Sequence, residues 1–178
     1  MKENVETTIH ALLYILDRLK GEADFHKVFK LLYFADKKHL VKYGALITDD
    51  NYIAMNHGPV PSMAYDILKT LRGEGLSASI KDQFTPYFEL INNFTVKAKV
   101  LPDLDYLSSS ETDALDESIA ENKDLDFNQR TVKSHDDAWT KAYSGEMDLF
   151  EIAKSGGASD DMLDYIKLVE EHHNLVLG

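Results

Sequence analysis

The chain has 178 residues and no cysteine. That excludes disulfides, thiol nucleophiles and thiolate metal sites together, and it fits a reducing, cytoplasmic setting. No apolar run approaches the ~20 residues of a membrane span, and the opening MKENVETTIH carries no apolar segment of the signal-peptide kind. A soluble cytoplasmic protein without a membrane partner is therefore expected. The usual catalytic signatures are missing too: there is no G-x-S-x-G, no H-E-x-x-H, no P-loop and no dinucleotide fingerprint. Proline is scarce, at four residues, and two of the four stand either side of Val60.

What is present describes an ordinary globular chain with a lopsided charge. Hydrophobic residues make up 44% of the sequence, enough to build a core. The length suits one domain, so 1–178 is read as a single unit with no second domain fused to it. Net charge is −12, and nearly all of it comes from one half. Residues 1–100 hold 13 Lys/Arg against 12 Asp/Glu, whereas residues 101–178 hold 6 against 19. Such a surface repels nucleic acid phosphates and favours a basic protein partner; the plainer reading is a solubilising surface.

Hydrophobic periodicity predicts helices over 4–20, from Asp24 to Gly44, and over 62–72 with a stop at Gly73-Glu74-Gly75. Lys27, Lys30, Lys37, Lys38 and Lys42 are expected on the wet side of the second helix. Residues 51–56, 86–91 and 94–100 read as strands, with Asn92-Asn93 as the hairpin turn and the first strand able to join the other two. Ser108 with Glu111 is a capping-box pattern for a helix to about 122. Ser134 with Asp137 suggests a helix carrying Trp139, and Ser159 caps a last one ending near His172-His173. The expected fold is α+β, mostly helical, packed around a small antiparallel sheet.

The most informative segment is Lys30 to Lys69, KLLYFADKKHLVKYGALITDDNYIAMNHGPVPSMAYDILK. Its His57-Gly58-Pro59-Val60-Pro61 stretch reads as a stiffened corner between a strand and a helix. Both prolines fix φ and push Gly58 and Val60 away from helical geometry. LLYFAD at 31–36, YG at 43–44, ITDDNYIAM at 47–55 and Gly58 to Pro61 resemble the Panacea domain of SocA-like antitoxins, whose pattern pairs a K-L-L-Y-F-x-D helix with a Y-x-A-x-x-x-G-P-V-P strand and corner. A weaker likeness continues through Leu107-Ser108, Ser134-His135 with Trp139, and Gly156 to Ser159. The resemblance implies an antitoxin that binds a cognate toxin protein, without catalysis or cofactor.

Tyr33, Asp36, Tyr52, His57, Gly58, Pro59, Val60, Pro61, Tyr65, His135 and Trp139 are the candidate partner-binding residues. The aromatic ones are too closely spaced for all to enter one core, and their polar tips would suit an interface. Core packing is the competing reading for Trp139. Asp36 and His39 form a D-x-x-H pair that could ligate a metal or simply hydrogen-bond, and no metal is expected. A hydrolase using His57 and His135, oriented by Asp36 or Asp137, is one alternative. A DNA-binding regulator using the lysines of the second helix is another, although charge disfavours nucleic acid. Homo-oligomerisation stays open.

Overall fold

Helix α1 (Glu3–Arg18) buries Ile9, Leu12, Leu13 and Leu16, the stripe predicted by its periodicity. It ends where Lys20 and Gly21 turn left-handed and the Gly21 N–H reaches back to the Leu16 carbonyl at 2.7 Å. After the short strand β1 (Glu22–Asp24), the Asp24 carboxylate accepts from the Lys27 N–H at 2.8 Å and starts α2 (Phe25–Tyr43). Gly44, at φ 75, closes α2 through the Leu40 carbonyl. The computed structural model describes residues 3–74, 78–142 and 144–177.

Beyond α2 come β2 (Tyr52–Met55), β3 (Gly58–Pro61), α3 (Ser62–Leu71), α4 (Ala78–Phe84), β4 (Phe88–Asn92) and β5 (Thr95–Ala98). A helical series follows: α5 (Ser109–Asn122), α6 (Phe127–Ser134), α7 (Asp137–Ala142), α8 (Leu149–Ser155) and α9 (Asp160–Leu177). One antiparallel sheet has the order β1-β5-β4, with Ala23 and Leu90 both opposite Val96. The other is the two-stranded β2–β3 hairpin. The architecture is α+β, as expected.

Two core clusters share α2. One lies between α1, α2, α3, α5 and the three-stranded sheet, and includes Leu12, Leu32, Ile67, Phe88 and Leu115. The other joins Tyr33, Phe34 and Leu40 of α2 to Tyr52 and Ala54 of the hairpin and to Ile152 and Ile166 of α8 and α9. Helix α2 is thus covered on most sides, and Ser118 on α5 donates to its Leu31 carbonyl at 2.7 Å.

Several expectations need correction. The 51–56 strand does not join the β4–β5 sheet. It pairs with Gly58 to Pro61, so the expected corner is itself a strand and the chain reverses at Asn56-His57. Strand β1 and helices α4, α6 and α8 are absent from the sequence reading. Ser134 ends α6 instead of starting the Trp139 helix, and Asp136 takes that role by accepting from the Trp139 N–H at 3.0 Å. Helix α9 runs past His172-His173 to Leu177. Helix α3 stops at Leu71 with Gly73 left-handed, as expected, while Gly75 of the same signal lies outside the described residues.

Candidate partner-binding groove

The K-L-L-Y-F-x-D segment of α2 turns its polar residues inward and uses them to hold other elements. Asp36, fully buried, accepts from Ile47 N (2.6 Å), Thr48 N (3.4 Å), Thr48 Oγ1 (2.9 Å) and Tyr52 Oη (2.7 Å). Burial raises this carboxyl to about 6, and the four donors restrain the rise. Tyr33 donates to Asp136 Oδ2 at 2.6 Å, beside the Lys37 ammonium at 2.8 Å. Burial pushes Asp136 up, but the Lys37 and Tyr33 hydrogen bonds outweigh it and hold the carboxylate below its usual range. These bonds fix the 47–52 segment and the start of α7 against one helix.

The hairpin explains the spacing of the two prolines. Ala54 donates to the Gly145 carbonyl and Tyr52 accepts from the Met147 N–H, so these two β2 residues face away from β3. Antiparallel pairing alternates. Ile53 and Met55 therefore make the ladder bonds to Val60 and Gly58, while Pro59 and Pro61 sit at outward-facing positions. The N–H groups that proline lacks would have pointed to the outer edge, so no ladder bond is lost. The outward carbonyl of Pro59 accepts from Lys30 Nζ at 2.8 Å. Gly58 has φ 101, and a Cβ there would lie 2.2 Å from Ser134 Oγ and 2.6 Å from Lys30 Cε. Only glycine fits that position as packed.

Lys30 is the main departure from the expected wet helix face, since only 1% of it is exposed. Burial, with Arg130 adding like-charge repulsion, lowers its ammonium to about 7. His26, one helical turn earlier, is pulled to about 4 by burial and then by Lys30 and Arg130.

Above Lys30 lies an open groove of about 540 Å³ between the hairpin, the start of α2, Tyr65 of α3 and the tip of the β4–β5 hairpin. Phe25, Phe29, Ile53, Val60 and Tyr65 supply apolar wall. Met55, Phe94 and Phe127 form an exposed apolar rim, with Phe94 66% and Phe127 43% exposed. The Phe127 ring stacks on His26 at 4.0 Å and meets His57 edge-on at 5.3 Å. The Arg72 guanidinium lies near both Phe25 and Phe94, at 5.6 and 5.9 Å from their ring centres.

The predicted site residues divide accordingly. His57, Gly58, Val60 and Tyr65 line the groove. Tyr33, Asp36 and Tyr52 are buried with their polar atoms engaged, so the aromatic patch expected around Tyr33 and Tyr52 does not reach the surface. Pro59 and Pro61 are also buried. His135 and Trp139 do share a face, but His135 closes α6 and Trp139 belongs to α7. Their rings stack at 3.6 Å, and Trp139 Nε1 donates to the Met55 carbonyl at 2.9 Å, bracing the hairpin.

The residues named for the rival chemistries are engaged as follows. Asp36 and His39 diverge, His39 contacting the Ala45 carbonyl (2.7 Å) and Ser110 Oγ (3.1 Å). Among the described residues no group of three His, Cys, Asp or Glu could hold a metal. The Asp36 carboxylate is taken up by Ile47, Thr48 and Tyr52. Of the lysines offered to DNA, Lys37 pairs with Asp136 and Lys38 with Glu117 and Glu121. No helix among the described residues is long and apolar enough to cross a membrane.

A family model described as "Antitoxin SocA-like, Panacea domain" matches residues 28–140, more than half of the chain. The chain belongs to this family. The matched segment holds α2 from Val28 onward, the hairpin, both antiparallel sheet partners β4 and β5, α5 and α6, and therefore most of the groove of this Panacea domain. None of the curated proteins and none of the solved structures matches the chain. Phe94 and Phe127, the exposed rim, escaped the sequence reading. Phe94 reads as a strand residue, and Phe127 lies inside the D-F-N-Q capping box of α6, where the Asp126 and Gln129 side chains each accept from the other's backbone N–H at 2.8–2.9 Å. That D-x-x-Q pattern was the available signal.

Proposed function

We propose that residues 1–178 act as one antitoxin domain that neutralises a cognate toxin protein by direct binding, without catalysis, and that the groove over Lys30 receives the toxin. Family membership supports the antitoxin role. The observation that carries the choice of surface is the apolar rim of Met55, Phe94 and Phe127 around an open groove beside the Gly58 to Pro61 strand. Exposed aromatic and methionine side chains around a pocket are the composition of binding hot spots. Antitoxins are commonly encoded beside their toxins, which names the test. The product of the neighbouring gene should arrest growth when expressed alone, and co-expression of this protein should restore it. Met55→Asp with Phe127→Asp should abolish rescue while leaving the circular dichroism and the melting temperature unchanged. Rescue by the folded double variant would remove the groove from the interface.

A further inference from the structure

We infer that the groove seats a segment of the partner protein that joins an aromatic or aliphatic side chain to a neighbouring carboxylate. This rests on the proposed toxin-binding reading and names what the toxin presents there.

Three observations support it. The groove is lined by Lys30 and Arg72, with His57 at its mouth and a neutral His26, and by no aspartate or glutamate among the described residues. A lining that holds two basic side chains and no acid is complementary to a negative group, and charge complementarity assigns a carboxylate to the occupant. Secondly, the Lys30 ammonium under the groove has no carboxylate partner among the described residues. It meets the Pro59 carbonyl and is faced by Arg130, another cation. Groups packed near it include His26 on its own helix, Ser134 and His135 at the end of α6, and Gly58 of the hairpin, none of them anionic, while Arg130 itself is bridged at 3.9 Å to the partly exposed Asp24. A buried cation so placed is destabilising until an anion approaches it. Arg72, at the other wall, is held by Glu74 at 3.1 Å, but that glutamate is largely exposed and can give way.

Thirdly, the hairpin edge excludes the commonest alternative. A partner strand adding to β3 would need its outward N–H groups, and Pro59 and Pro61 have none, while the outward Pro59 carbonyl is already taken by Lys30. The occupant is therefore held by its side chains. The volume lies in the ordinary range for ligand pockets and suits one or two large side chains. The acidic surface elsewhere on the chain adds selectivity, because it repels acidic proteins that lack the apolar anchor.

Selection of random phage-displayed peptides on the intact protein tests this, with each binder re-measured on Phe127→Asp. Binders lost on that variant should carry Asp or Glu next to an aromatic or aliphatic residue, and changing the acid to its amide should weaken them about tenfold. Lys30→Met should collapse that difference while still binding the amide peptide. Groove-dependent binders with no acid preference, or with a preference for Lys and Arg, would overturn the inference, as would the failure of every binder to depend on Phe127. If acidic groove-binding peptides emerge but Met55→Asp with Phe127→Asp still neutralises the toxin, the groove chemistry stands and its assignment to the toxin fails. The reverse pattern fails the chemistry alone.

Discussion

Replacing Lys30 by methionine should remove a pH dependence of stability that the parent protein shows. Burial and Arg130 lower this lysine from 10.5 to about 7 in the folded chain. A lysine with a depressed folded-state value opposes folding fully below that value, and the penalty is relieved as pH rises from there towards the unfolded value. The unfolded state therefore binds nearly one more proton across the interval, and stability should climb by about 2 kcal/mol from about pH 7 to about pH 9. The perturbed histidines, tyrosines and Asp36 stay out of this window. The shifted histidines are lowered from 6.5, the shifted tyrosines are raised from 10.0, and Asp36 sits at about 6. Methionine has a similar length and no charge, so Lys30→Met removes a penalty of about 4 kcal/mol near pH 7, on the same arithmetic. Against that stands the loss of the bond to the Pro59 carbonyl, a buried acceptor left unsatisfied at about 1–3 kcal/mol. The variant should be at least as stable as the parent near neutrality, with a flat profile across the window. Urea unfolding followed through the single tryptophan, Trp139, at both pH values measures this. A variant that keeps the parent's slope, or a parent with no slope, would refute the reasoning.

Gly58→Ala combines a positive φ with overlap onto Ser134 and Lys30, and should lower stability by about 3 kcal/mol, read as a fall in the urea midpoint. Asp36→Ala leaves the Thr48 and Tyr52 hydroxyls and the Ile47 amide without their acceptor, and should cost about 3 kcal/mol or more with loosening of the 47–52 segment; full protection of those amides in hydrogen exchange would contradict it. Asp126→Ala should cost only about 1 kcal/mol, because it removes a single helix cap whose backbone groups are exposed to water, and a loss several times larger in the urea midpoint would show that the Phe127 end of α6 does more than cap.

The longer helices α1, α2, α3, α5 and α9 were legible because their limits are local events. Asp24, Gly44, Ser108 with Glu111, and Ser159 each act within a few residues of the turn they start or stop, so their identity and spacing were enough. Strand pairing is a long-range event. Ala23 meets Val96, 73 positions later, and a three-residue strand such as Glu22 to Asp24 carries no periodic pattern of its own. The Gly58 to Pro61 stretch was recognised as constrained, but a constrained backbone can be a corner or a strand. Pairing with Tyr52 to Met55 decided between them, by giving the two prolines the outward positions where a missing N–H does no harm.

The candidate site divides in the same way. The K-L-L-Y-F-x-D and G-P-V-P segments could be picked out and tied to a family from residues alone, and the lack of cysteine and of catalytic signatures bounded the chemistry. Which of those residues meets solvent depends on what packs over α2 from distant parts of the chain. The 47–52 segment, the start of α7 and α8 cover Tyr33, Asp36 and Tyr52, and the hairpin with the end of α6 buries a lysine that helical periodicity puts in water. Sequence by itself determined where the backbone bends and which side chains are available; only the tertiary structure decided which of them form the groove, because burial and the charge state of Lys30 are set by neighbours that lie far away along the chain.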